Sequence, residues 1–192
     1  MRLMRAAEYR RMRWKNGLGE TTEIAVHPEG ATVDSFDWRI SMARVDSDGP
    51  FSAFDGIDRT LSVLNGAGLR LVVDGATARV LTVGTEPYRF PGDRATHATL
   101  VDGSISDLNV MTRRTRFDHL VRRIPVPGHA ELASRAGTTL VLCSAGSVSL
   151  RKGADEVLLE TLDSASWAGN PATFRLACKS ASEIFLIELF GR

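Results

Sequence analysis

An all-β chain of two similar lobes follows from three features of the 192-residue sequence. Apolar and polar residues alternate with a period of two, short runs of this kind are separated by Gly- and Asp-centred turns, and the order of runs and turns repeats at an offset of 77 to 78 residues. An apolar content of 43% is ordinary for a globular protein and fills a sizeable core in one compact domain or two small fused lobes.

Phe36, Trp38, Ile40 and Met42 alternate with Asp37, Arg39, Ser41 and Ala43, the pattern of a strand with two different faces. Residues 59–64 (RTLSVL), 69–74 (LRLVVD), 78–83 and 96–101 follow as further short runs. Asn65-Gly66, Asp74-Gly75, Gly92-Asp93 and Asp102-Gly103 lie between or beside them, each turn holding a residue that tolerates positive φ. The later runs are 139–143, 148–151, 157–161, 173–178 and 184–190. Phe117, Leu120, Val121 and Ile124 fit helical spacing and a short twisted strand equally, and residues 130–135 are long enough for one or two helical turns. Gly68 and Gly146, and Gly75 and Gly153, correspond at an offset of 78, and Gly92 and Gly169 at 77. Three ordered matches indicate duplication: a pair of small barrels or a two-lobed sandwich, joined near residues 123–132. Residues 1–122 then form the first lobe, which carries the candidate pocket, and residues 123–192 the second, with strand exchange between them left open.

Composition excludes several classes of function. The net charge is +1, from 24 basic and 23 acidic residues, so no global field draws the chain to nucleic acid or to a membrane. Arg113, Arg114, Arg116, Arg122 and Arg123 read as a solvated rim. Cys143 and Cys178 lie in apolar strand-like runs and read as buried thiols of a reducing compartment. The N-terminal stretch has no apolar signal segment, and no run approaches the ~18 apolar residues of a membrane span. A soluble cytoplasmic protein is expected, and a homodimer is compatible with it.

The densest chemistry lies in RMRWKNGLGETTEIAV, residues 11–26, which puts an indole, an amine, an amide, two hydroxyls and two carboxylates in one short stretch. It is not a phosphate loop, because Lys15 precedes Gly17 and Gly19 instead of following the last glycine, and Thr22 stands where a dinucleotide fingerprint needs its third glycine. Arg39 and Ser41 lie on the solvated face of an edge strand or, in a closed barrel, point inward. Glu23, Asp107 and Asn109 show the same mixing of polar and apolar residues, and Arg59 opens a strand. A buried arginine must be paired. Arg39, Arg59, Glu23 and Asp107 therefore form either a structural ion-pair network or a polar pocket for an anion that the guanidinium fork matches. The two rings of GPFSAFDGIDR, residues 49–59, read as a plug at the barrel mouth. His27, His97, His119 and His129 are scattered without metal-ligand spacing, and no Gly-x-Ser-x-Gly elbow is present. No metal and no cofactor are expected.

WKNGLGETTEIA (residues 14–25), FDWRISMARVDSDGPFSAFDGIDRTLSVLNGAGLRL (36–71) and DLNVMTRR (107–114) together closely resemble the HutD/Ves family. The resemblance covers the first ~115 residues by motif and the remainder by strand pattern. It implies a cupin-type double β-barrel whose metal-binding histidines have no counterparts in this sequence. It also implies a link to bacterial histidine utilisation, where HutD proteins look like governors of pathway output, while Ves relatives are associated with stress. The family's polar signature maps onto Lys15, Asn16, Thr22, Glu23, Arg39, Ser41, Arg59, Asp107 and Asn109, which the resemblance gathers at one barrel's pocket. The expectation is a binding and regulatory protein for a small anionic metabolite such as urocanate or an N-formyl- or N-formiminoglutamate. Arg39 and Arg59 clamp its carboxylate, Ser41 and Asn109 orient it, Glu23 accepts from an N–H, and Trp14 supplies an apolar wall. A metal-independent enzyme using Glu23 or Asp107 as general base is the alternative. A stress-related structural or partner-binding protein is the third.

Overall fold

A computed structural model describes residues 1–14, 19–169 and 171–192. Its strands are β1 (Arg2–Met4), β2 (Arg10–Arg13), β3 (Gly19–His27), β4 (Trp38–Val45), β5 (Gly49–Pro50), β6 (Ile57–Asn65), β7 (Leu69–Val73), β8 (Arg79–Leu81), β9 (Tyr88–Pro91) and β10 (Thr96–Leu100). They continue as β11 (Ile105–Arg113), β12 (Phe117–Val126), β13 (His129–Ser134), β14 (Thr138–Ala145), β15 (Val148–Lys152), β16 (Asp155–Leu159), β17 (Ser164–Ala168), β18 (Ala172–Ala177) and β19 (Ser182–Gly191). A 3-10 turn at Ala6–Glu8 is the only helical element among the described residues. Every run read from period-two alternation is a strand. The two segments left open are strands as well: His119 and Val121 of β12 are buried while Leu120 between them is 48% exposed, an alternation no helix produces.

The chain divides into two compact units, Arg10–Asp118 with Arg192, and Met1–Tyr9 with His119–Gly191. In the first, a six-stranded sheet of order β2-β3-β4-β11-β6-β9 and a four-stranded sheet β5-β10-β7-β8 enclose Val45, Leu61, Val63, Leu69, Leu71, Leu81, Phe90, Ala98 and Ile105. In the second, β1-β17-β14-β19-β12 and β13-β18-β15-β16 enclose a core that includes Val141, Leu150, Trp167, Phe174 and Leu186. Strand order is the same in both: β9-β6-β11-β4 corresponds to β17-β14-β19-β12, and β5-β10-β7-β8 to β13-β18-β15-β16. The offset of the glycine pairs is thus the offset between equivalent strands.

The sequence alone draws the boundary at 122/123 and keeps residues 1–9 with the first lobe, whereas the contacts put those nine residues in the second unit. β1 pairs antiparallel with β17, Leu3 opposite Ala165, and Arg5 bonds Asp163 at 2.6 Å. Tyr9, 7% exposed, hydrogen-bonds the Leu162 carbonyl and the Ser164 hydroxyl at 2.9 and 2.8 Å.

Candidate functional site

The site is laid out by the register of β3, β4, β11 and β6. In an antiparallel sheet, residues directly opposite each other project from the same face. Thr21, Ala43, Asp107 and Val63 form one cross-strand row; Glu23, Ser41, Asn109 and Leu61 form the next; Arg39, Met111 and Arg59 form the third. This face borders a cavity of about 800 Å3 within the first unit, with the other side supplied by Trp14 and by the segment from Ser47 to Phe54. Such a volume suits a small molecule. The opposite face of the same strands is apolar at Ile40, Leu108 and Val110, all buried, so these strands have no solvated face to receive the arginines.

Two polar chains run across the wall. Arg39, 7% exposed, donates through Nε to Glu23 Oε2 at 2.8 Å, and its terminal nitrogens have no partner among the described residues. Arg59 donates through Nε at 2.7 Å and through Nη2 to Asn109 Oδ1, and Asn109 Nδ2 donates in turn to Asp107 Oδ1. Because a guanidinium only donates, Asn109 must present its oxygen to Arg59 and its amide nitrogen to Asp107. Asp107 is 1% exposed, and its Oδ2 has no hydrogen-bond partner among the described residues. Burial pushes the Asp107 carboxyl up to about 7, against the pull of Arg59, Asn109 and the Ala43 backbone. Desolvation draws Arg59 down to about 10, opposed by Asp107 and assisted by repulsion from Arg39. The Arg59 guanidinium also lies 4.3 Å from the centroid of the Phe51 ring.

The opening stretch contributes through Trp14 and Thr21. The indole Nε1 donates to Thr21 Oγ1 at 2.8 Å, and the Trp14 amide donates to the Gly19 carbonyl at 3.0 Å. Gly19 is what admits the ring: a Cβ there would stand 2.5 Å from the Arg44 carbonyl oxygen and 2.8 Å from the indole.

Of the residues singled out from the sequence, the structure brings Trp14, Arg39, Ser41, Arg59, Asp107 and Asn109 to one cavity. Glu23 stands behind Arg39 as its partner and does not line the cavity. Thr22 points to the other face of β3, since adjacent strand residues alternate; its neighbour Thr21 lines the cavity instead. Lys15 and Asn16 lie outside the described residues. Phe51 and Phe54, read as a plug, line the cavity as well, so plug and wall are the same rings. The donor set does not fit a transition metal: the described lining has no imidazole or thiolate, and the Asp48 carboxylate already accepts from the Leu100 amide at 2.7 Å.

Fold and wall together define the class: a cupin-type protein whose largely apolar barrel cavity carries a buried arginine pair on one wall. The HutD family profile matches residues 6–186, and the chain belongs to that family. An uncharacterized 21.2 kDa protein in the hutC 3' region of Pseudomonas putida is 34% identical over 193 residues, covering 100% of this chain and 98% of that one. Protein Ves of Citrobacter koseri is 36% identical over 165 residues, covering 85% and 81%. HutD from Pseudomonas fluorescens SBW25, solved in a formate condition, superposes with a TM-score of 0.82 at 32% identity, covering 100% and 98%. A cupin 2 conserved barrel domain protein from Leptotrichia buccalis shares the fold alone, at TM-score 0.62 and 11% identity over 96% and 99% of the two chains.

Proposed function

We propose that the cavity binds a small carboxylate from histidine breakdown, of the urocanate or N-formyl- or N-formiminoglutamate type, and that the bound protein limits histidine utilisation. The observation that carries this reading is the third cross-strand row. Arg39 and Arg59 flank Met111 on neighbouring positions, close enough to repel each other, with guanidinium nitrogens that have no partner among the described residues beside a cavity of about 800 Å3. A carboxylate there relieves the repulsion and takes charge-assisted hydrogen bonds from both forks. Ser41 and Asn109 orient it, while Trp14 and Phe51 flank its apolar part. The regulatory side rests on family membership and on the P. putida relative's position beside hutC. Isothermal titration with urocanate, N-formylglutamate and N-formiminoglutamate tests the reading. Saturable binding of at least one without turnover supports it, and heatless titrations with all three remove it.

One observation favours a second reading, a metal-independent enzyme. A carboxyl held near 7 is poised to move protons at neutral pH, and Asp107 is one. Conversion of any of these three compounds by the purified protein, abolished in Asp107→Asn, would move the protein to that class.

A further inference from the structure

The binding reading leaves Asp107 unexplained, because a carboxylate is an unwelcome neighbour for a bound anion. Its surroundings fix which of its oxygens is available. Oδ1 accepts from Asn109 Nδ2, whose own oxygen is committed to Arg59, so Oδ1 is held as an acceptor. Oδ2 is buried and has no partner among the described residues, in a residue that lines the cavity. A proton on Asp107 therefore resides on Oδ2, beside the Arg59 and Asn109 chain that borders the cavity. The charged group acting on it is Arg59 from β6, with Asn109 and the Ala43 backbone as neutral neighbours; Arg39 from β4, with its partner Glu23 from β3, stands two rows away, and Arg13, Asp34 and Asp48 line the same cavity. Arg59 is the charge that favours the ionised form of Asp107.

Resting on the anion reading above, we infer that Asp107 enters the complex as a neutral carboxylic acid, so that loading the cavity takes up a proton. Two effects drive the coupling. An anion on Arg59 cancels the attraction that helps keep Asp107 ionised, and the same anion repels a second carboxylate in the same low-dielectric space. Both raise the carboxyl's affinity for its proton in the complex. With the free protein's Asp107 titrating near 7, affinity is full below that pH. It falls as pH rises above it, by up to about tenfold per pH unit until the complex itself deprotonates. Asp107 thereby discriminates by charge: an anion beside Arg59 favours the protonated acid, and a cation there favours the carboxylate, with the opposite pH dependence.

The test is isothermal titration with N-formylglutamate, which has no group titrating between pH 6 and 9. Titrations are run across that range and, at pH 8, in two buffers of different ionisation enthalpy. The expected result is weaker binding as pH rises above 7, with uptake of a fraction of a proton up to one per ligand. Affinity of Asp107→Asn is expected to be independent of pH, with no proton exchange. Binding of wild type that is flat with pH, or that tightens as pH rises, overturns the inference while leaving the anion reading in place; so does an unchanged slope in Asp107→Asn. Absence of saturable binding by wild type at pH 6 removes the anion reading itself, and the inference with it. The two-buffer measurement on wild type decides the matter even if the variant fails to fold.

Discussion

Arg39 can be asked directly whether it reads a ligand or holds the wall. Its Nε is taken by Glu23, and the remainder of the fork is unpartnered among the described residues. Arg39→Lys keeps the charge and loses the planar fork. If the fork grips a carboxylate, the dissociation constant for the best of the three metabolites should rise about ten- to a hundredfold, the equivalent of about 1.5–3 kcal/mol for a charge-assisted hydrogen bond. Glu23→Gln, which removes the charge behind Arg39 and keeps its shape, should mainly lower the melting temperature of ligand-free protein. Unchanged affinity in Arg39→Lys, beside a large loss of stability, would make the row a structural network. Asp107 allows a companion measurement without ligand. Its folded-state value lies above the ordinary carboxylate value, so the native state holds a proton that the unfolded chain releases. Its contribution to stability is therefore present below pH ~4 and lost as pH rises through about 7. The melting-temperature difference between Asp107→Asn and wild type should grow in favour of the variant over that window and level off above it. A difference independent of pH would mean that Asp107 is ionised throughout.

At the scale of elements, the strands were legible because β structure writes its two faces into the sequence as parity. Phe36 to Met42 alternates without exception, and Arg39 with Ser41 share one parity, as do Asp107 with Asn109. Parity also shows why Thr22 and Glu23 do not serve one wall, and it would have preferred Thr21. What parity does not supply is register between strands far apart in the chain. That Asp107 stands opposite Ala43, and Met111 opposite both Arg39 and Arg59, depends on pairings across 50 residues or more and on bulges at Glu23/Ala25 and Ser106/Asp107. Short edge elements such as β5 and β9 left no periodic trace, for two to four residues are too few to show a period. The Gly-x-Gly of the opening stretch was legible as unusual, but its purpose needed a structure: Gly19 is the bare backbone against which the indole lies. Gly19→Ala should cost about 1–3 kcal/mol of stability, the usual range for overpacking, and shift the tryptophan emission as the ring is displaced. A variant with native emission and native melting temperature would show that Trp14 is not seated there.

On the scale of the whole molecule, the duplication has left two lobes of equal strand order and unequal content. The first keeps a cavity with polar side chains on one wall. The second fills the equivalent interior with Val141, Leu150, Trp167, Phe174 and Leu186, which suits a scaffold. The sequence repeat revealed this pairing, but the assignment of residues 1–9 escaped it, because a strand that joins a distant partner carries no mark of its destination. β1 extends the five-stranded sheet beside β17, Arg5 meets Asp163, and the Tyr9 hydroxyl is held between Leu162 and Ser164. Burial pushes the Tyr9 phenol up to about 12, so it stays a neutral donor throughout the working range. Tyr9→Phe should cost about 0.5–1.5 kcal/mol, as one neutral hydrogen-bonding group is lost. Deleting residues 1–9 should cost more, because an edge strand and an ion pair to a buried carboxylate go with it. The location of the damage is the sharper expectation. Hydrogen exchange should accelerate in β17 and β14 of the unit that loses its strand, while β4, β6 and β11 around the cavity keep their protection and ligand affinity stays within a few-fold of wild type. Equal loss of protection on both sides would mean that the two units unfold as one, and that the first nine residues support the cavity as much as the scaffold.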